Sequence, residues 1–519
     1  MQLAIVHYHL NRGGVTQVIQ NHLRALAAAG QGGIDRVVIL FGGRKEAWPE
    51  GPVTGANGID LRLCPVPELE YDDGGSPAAD KLSRAMADAL TAEGASPETC
   101  ALHIHNHSLG KNASLPGAVK ILAAKGWRSL LHVHDFAEDF RPDNYRQLAD
   151  ALAPDHPENL PRQLYPQAGQ IHYAVLNGRD FRLLEQAGVP ANRLHSLPNP
   201  VAPFGELPDR GTARAMLADK FGVGESCKFL LYPVRGIRRK NVGEALLWSL
   251  LPSEEVRVGI TLSPLNPVEN RTYQQWAELA AKLNLPTLFG VGDPGGLGFT
   301  ENLSASDVIL TTSVAEGFGM VFLECWLAGR TLVGRDLPEI TSDFKSSGVT
   351  FDGLHDKLLV PIDWIGLDGF RDALAQTFLS VSAAYGVAAM SPTDLSAEID
   401  NLVTDGKVDF ALLSVALQRR VIERLGRCPF DIDVLRQINP WIESAVADGH
   451  GLRSEQVGQN AAIVSEQYSL AACGKRLADV YKNVMDAEPS DAIEPPAHGE
   501  TILQTLLHPS RLNPIRVET

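Results

Sequence analysis

The sequence predicts an α/β protein with two doubly wound, largely parallel sheets, and three observations carry that prediction. Short apolar runs alternate with helical stretches through residues 1 to about 200. The alternation breaks across a stretch carrying Pro203, Pro208 and Gly211, then resumes near Lys228. In the second half, Asp307–Gly329 (DVILTTSVAEGFGMVFLECWLAG) reads as a buried strand, a glycine turn and a helix in direct succession.

Taken in order, the first half offers apolar runs at Leu3–Tyr8, Arg36–Phe41, Leu61–Val66, Ala101–His105, Ser129–Val133 and His172–Leu176. A helix from Val15 to Ala29 ends at Gly30, a natural stop. The second half opens on the strand Phe229–Val234, followed by Arg235-Gly-Ile-Arg-Arg-Lys240-Asn and a helix over Val242–Leu250. Further strands follow at Val256–Leu262, Thr287–Val291 and Val308–Thr312. Gly290-Val-Gly292-Asp-Pro-Gly295 fits GxGxxG, but Pro294 and two glycines lead into a loop rather than a helix. No nicotinamide or flavin cofactor is expected there. Residues 375–460 read as an extra helical insertion, about 464–486 as a closing helix, and 487–519, with five prolines, as a loosely ordered tail.

Composition narrows the function. At 519 residues the chain has room for two to four domains and a sizeable core. A formal net charge of −16 argues against nucleic acid as the main partner. Residues 1–200 hold 18 Lys and Arg against 21 Asp and Glu, so no broad basic face for anionic lipid is expected. Six cysteines show neither CxxC spacing nor a disulfide framework, which points to reduced thiols in a cytoplasm. The N-terminus enters an apolar strand without a basic leader, and no run reaches about 18 apolar residues, so neither a signal peptide nor a transmembrane segment is expected.

Three stretches carry chemistry. In Glu316-Gly317-Phe318-Gly319 and the helix that follows, free N–H groups and the positive dipole end face whatever lies above the turn, which makes an anion site. Glu316 and Glu324, eight residues apart, add carboxylates suited to sugar and ribose hydroxyls flanking a diphosphate. Four cations, Arg235, Arg238, Arg239 and Lys240, directly follow a strand in an acidic protein and suit phosphate oxygens. Gly13-Gly14 after the first strand is a candidate phosphate or sugar contact. Histidines alternate at 103, 105 and 107 and again at 132 and 134, so each set shares one face of a strand. Imidazoles are usual zinc ligands, but no Cys or carboxylate stands at close spacing to complete a set. No metal ligand is therefore assigned, and His103 and His132 are read as core or edge residues.

Glu316-Gly317-Phe318-Gly319 through Glu324 resembles the E-x7-E signature of retaining glycosyltransferases with the GT-B fold, family 4 type. The resemblance covers about residues 1–360 and resumes in Glu466-Gln-Tyr-Ser-Leu through Leu477-Ala-Asp-Val-Tyr-Lys-Asn, similar to the family's closing helix. It implies two Rossmann-like domains facing a cleft: an acceptor domain over 1–200, joined by the closing helix, and a nucleotide-sugar domain over 228–374. It implies a cytoplasmic hexosyltransferase of carbohydrate biosynthesis that moves a sugar from a UDP- or GDP-sugar to a small-molecule, glycan or lipid-linked acceptor. Retention of anomeric configuration without a metal or other cofactor is also implied. By the same resemblance Arg235 and Lys240 hold the diphosphate, with the N–H groups of Gly319, Met320 and Val321. Glu324 accepts the ribose hydroxyls, and Glu316, with Gly317 and Phe318 beside it, binds the donor sugar. Gly14 and His134-Asp135 meet the donor from the other domain, and His105-Asn106-His107 matches a paired-histidine strand end more loosely. Arg238 and Arg239 fall where the family varies and are read as exposed. A GT-B sugar phosphorylase and a non-catalytic nucleotide-sugar binding protein would use the same residues, and both stay open on sequence alone.

Overall fold

The structure, a computed structural model, describes residues 1–51, 53, 56, 58–72, 77–447 and 452–517. The chain forms two compact units, each assembled from three segments. Unit 1 comprises Met1–Ala202, Val381–Ala388 and Glu466–His508; unit 2 comprises Pro203–Ser380, Ala389–Ser465 and Pro509–Thr519.

Unit 1 is a seven-stranded sheet of β1 (Gln2–Val6), β2 (Arg36–Phe41), β3 (Asp60–Pro65), β4 (Cys100–His105), β5 (Arg128–Val133), β6 (Ile171–Val175) and β7 (Leu194–Ser196). Its order is β3-β2-β1-β4-β5-β6-β7, parallel throughout. Strands buried on both faces read as unbroken apolar runs, which is why Leu3-Ala-Ile-Val and Val37-Val-Ile-Leu-Phe are legible as strands. The closing helix Leu470–Asp486 packs on the first helix, Gly14–Ala28. Leu477, Val480, Tyr481 and Val484 join Leu3, Ile5, Ile19 and Leu23 in one core. The helices meet at Gly474, where a Cβ would overlap the Ala25 carbonyl oxygen.

Unit 2 repeats the plan with β8 (Lys228–Arg235), β9 (Val256–Leu262), β10 (Thr287–Phe289), β11 (Val308–Thr311), β12 (Thr331–Arg335) and β13 (Leu354–His355), ordered β10-β9-β8-β11-β12-β13 and again parallel. In both sheets the strand order reverses beside the first strand, between β1 and β4 and between β8 and β11. Open α/β sheets bind ligands beyond the carboxyl ends of strands at such a switch point. Strand β12 went unanticipated because Thr331-Leu-Val-Gly-Arg is short and broken by glycine. Gly334 has φ of 122°, and a Cβ there would overlap the Thr311 carbonyl on β11, so glycine is what lets this strand pair.

The expected insertion is helical, with helices Leu367–Tyr385, Pro392–Asp400, Val415–Arg427, Pro429–Ile438, Trp441–Ala447 and Leu452–Gln467. Residues 448–451 of it, and 518–519 of the tail, lie outside the described residues. Within the described part of the tail, regular structure is present. A helix forms at Glu500–Leu506, and Ile502, Leu503, Leu506, Leu512 and Ile515 are all buried. Its prolines obscured apolar residues recurring at helical spacing.

Candidate active site

At the switch point of unit 2 the loops after β8 and β11 are stitched together. The Tyr232 hydroxyl donates to the Lys240 carbonyl at 2.9 Å and also meets Ser313 Oγ at 2.9 Å. Thr312 Oγ1 donates to the same carbonyl at 2.9 Å, and the Val314 amide donates to the Arg239 carbonyl at 2.9 Å. Asn241 closes the basic turn in the left-handed region, φ 49°, which asparagine tolerates. These bonds set cations from one loop against the carboxylate of the other.

Glu316 is that carboxylate. Arg239 Nη1 donates to its Oε2 at 2.6 Å, and Lys240 Nζ donates to its Oε1. Burial alone would raise its pKa, but the charges of Lys240 and Arg239 prevail and hold it down at about 2. Arg239, read as exposed, is instead part-exposed and ion-paired to Glu316. Arg238 is also engaged, bonded to Glu269 through its amide at 2.7 Å and its Nε at 3.1 Å. Single-sequence reading missed both because their partners lie 77 and 31 residues away.

Arg235 ends β8 and donates from Nη1 to the Ser263 carbonyl at 2.6 Å, with no carboxylate partner among the described residues. Past Glu316 the chain turns at Gly319, φ 81°, and enters the helix Val321–Leu327. Phe318 is buried edge-on against Phe344, with ring centroids 5.4 Å apart. The amides of Gly319, Met320 and Val321 lie at the helix start, where a helix supplies no acceptor for them. On the first turn of that helix the Glu324 side chain has no bonding partner among the described residues, and burial raises its pKa. A half-buried carboxyl with no protein partner is free to meet a ligand.

Unit 1 carries the other two assigned residues, one after β1 and one after β5. Gly14 opens the first helix, is exposed, and has open space where a Cβ would stand. His134 follows β5. Its amide donates to Asn106 Oδ1 at 2.7 Å, and its Nε2 meets His105 Nδ1 at 2.8 Å. Burial pushes its pKa down to about 4 against the pull of Asp135, so the ring is neutral at pH 7. His107 bonds the Leu164 carbonyl at 2.7 Å, and Tyr8 donates from its hydroxyl to the Asn106 carbonyl at 2.7 Å. His103 is satisfied, as expected of a core residue, through Tyr481 and His132, whereas His132 Nε2 has no partner.

Set against known proteins, no family model matches the chain. It is 26% identical over 439 residues to mannosylglucosyl-3-phosphoglycerate synthase of Petrotoga mobilis, covering 80% of each protein. Among solved structures it resembles sucrose-phosphate synthase of Thermosynechococcus elongatus (14% identity, 93% of this chain, 98% of that one, TM-score 0.51). It also resembles Anabaena Alr3699/HepE in complex with UDP and glucose (12% identity, 93% and 99%, TM-score 0.50). The chain is thus homologous to a glycosyltransferase and has the GT-B fold, and it is itself a glycosyltransferase. Neither the phosphorylase nor the binding-only alternative is favoured. No helix among the described residues is long and apolar enough to cross a membrane.

Proposed function

We propose that this glycosyltransferase takes its sugar from a nucleotide diphosphate sugar and transfers it with retention of anomeric configuration, as its E-x7-E-like stretch implies. The observation that carries the reading is the meeting of Lys240 and Arg239 with Glu316 at the switch point of unit 2, with Glu324 unpartnered on the following helix. Negative charge builds on the leaving diphosphate as the glycosidic bond breaks. Arg235, Lys240 and the amides of Gly319, Met320 and Val321 stabilise it. Glu316 holds the two cations in place and offers negative charge where the sugar ring becomes positive. Glu324 binds the ribose hydroxyls. Within unit 1, Gly14 and His134 are the candidate sugar contacts, with His134 as a neutral hydrogen-bonding partner. No divalent ion is required at the diphosphate, and no side chain acts as nucleophile.

The donor is a UDP- or GDP-sugar, a class supported by the UDP and glucose seen in a protein of this fold. The Petrotoga relative is named for a sugar-bearing 3-phosphoglycerate, so acceptors carrying that acid belong in the test beside plain sugars and lipid-linked ones. The compartment is the cytoplasm, which suits six unpaired cysteines. The experiment is a panel of UDP-, GDP- and ADP-sugars, scored for turnover with each acceptor class, with the product anomer read by NMR. Turnover with inversion would overturn the retaining assignment. Consumption of inorganic phosphate in place of an acceptor would restore the phosphorylase.

A further inference from the structure

A cluster of imidazoles fills the middle of unit 1, beneath the strand ends just described. His22 comes from the first helix, His103 and His105 from one face of β4, and His132 from β5, directly opposite His105 in the register. All four are 0% exposed. Each offers a ring nitrogen, and these four atoms lie within 4.8 Å of one another. Four nitrogens in the cluster have no hydrogen-bond partner: both of His22, Nε2 of His105 and Nε2 of His132. A buried polar atom left unpaired is costly, so four in one place call for a ligand.

The hydrogen bonds around the cluster decide which nitrogens keep lone pairs. His103 Nδ1 stands 2.8 Å from the Tyr481 hydroxyl, and its Nε2 stands 3.1 Å from His132 Nδ1. With His103 donating to Tyr481, its Nε2 accepts the proton of His132 Nδ1, and His132 keeps a lone pair on Nε2. His105 Nδ1 stands 2.8 Å from His134 Nε2. With His105 donating there, it keeps its lone pair on Nε2. His22, tied to nothing, can present either nitrogen. One consistent set of tautomers therefore leaves a lone pair on each of His22, His105 and His132, two of them with the opposite N–H anchored on a further histidine. Metal-ligating imidazoles are anchored in this way by a group behind them.

We propose that His22, His105 and His132 bind a divalent transition-metal ion such as zinc, with His103 and His134 as the partners that fix their tautomers. Nitrogens at about 2.0–2.1 Å from zinc stand roughly 3.4 Å apart, the spacing the three ligands take up on binding. The ligands are neutral imidazoles held uncharged by burial, the form that binds metal. A water in the fourth position can lose its proton to offset the ion's charge. The ion pins the first helix to β4 and β5. The inference stands independently of the proposed donor chemistry, and its test does not read turnover.

The spacing rule used on the sequence missed this site because it sought a Cys or carboxylate near the strand histidines, whereas the third ligand sits on a helix 81 residues before His103. The test uses untagged full-length protein, stripped with chelator, dialysed and exposed to Zn²⁺ or Co²⁺. The expected result is about one ion per chain by mass spectrometry, a visible absorption band for the cobalt form, and a raised Tm. His22→Leu removes nitrogens that bond nothing else in the protein. It should abolish metal uptake and the metal-dependent gain in Tm, while melting no lower than wild type when both are metal-free. Zinc-edge X-ray absorption on wild type should find imidazole ligands, whatever the variant does. Folded wild type that takes up no metal and melts unchanged overturns the site. So does full metal retention in His22→Leu, or a zinc shell of sulfur or oxygen alone.

Discussion

Glu316 and Glu324 stand eight residues apart, yet the protein treats their charge in opposite ways. Glu316 is ionised by two cations in contact with it, and Glu324 is pushed toward its neutral form by burial. Their losses should differ accordingly. Glu316→Gln keeps size and reach but drops the charge opposite a sugar ring that becomes positive only in the transition state. Steady-state kinetics should show kcat falling about tenfold or more, at least roughly 1.4 kcal/mol of barrier. Glu324→Gln removes a grip on a part of the donor that does not react, so KM should rise more than kcat falls. Wild-type kcat in Glu316→Gln would refute the first role. Arg235→Ala and Lys240→Ala should each weaken binding of the preferred nucleoside diphosphate in calorimetric titration, and unchanged affinity in both would remove them from the site. The Glu316 carboxylate also carries a pH signature. Its folded pKa of about 2 lies below the ordinary 4.5, so its contribution to stability is present above the ordinary value. That contribution fades as pH falls from about 4.5 toward about 2. Urea midpoints of wild type and Glu316→Gln should converge across that window.

Helices and strands set these residues in place, and one helix contact makes a sharp prediction. Gly474 lets the closing helix lie directly on the first, with the Ala25 carbonyl where a Cβ would stand. Gly474→Ala must push the helices apart. It should destabilise unit 1 by about 1–3 kcal/mol, seen as a lower urea midpoint at unchanged slope. Much at this scale was legible in the sequence. Parallel strands buried on both faces announce themselves as apolar runs, so β2 and β9 match their expected bounds residue for residue. The glycine turn at Glu316–Gly319 carries its own local chemistry and was equally readable. Contacts that close over long sequence separations were not. Nothing near Arg239 signals that Glu316 will receive it, and nothing near His22 points to the histidines of β4 and β5. Local pattern reports local geometry, whereas a charge pair or an imidazole cluster is created by topology.

At the scale of the whole molecule, the proposed diphosphate site has cations of unit 2, Arg235 and Lys240, to offset the leaving charge. Chelator should therefore leave transfer intact at temperatures below the melting point of the metal-free chain. Loss of turnover restored by a divalent ion would contradict this. The same scale governs how the protein comes into being. Unit 1 opens the chain and is finished only by Glu466–His508, after nearly all of unit 2 has been made. At about 5–20 residues per second, the nascent first helix and β1 wait on the order of 20–90 s for Leu477, Val480, Tyr481 and Val484 to cover them. During that interval an apolar face is open to water and to other chains on the ribosome. A ribosome that stalls anywhere in unit 2 thus releases a protein whose first two hundred residues are intact in sequence but bare along one side, a natural substrate for chaperones and proteases.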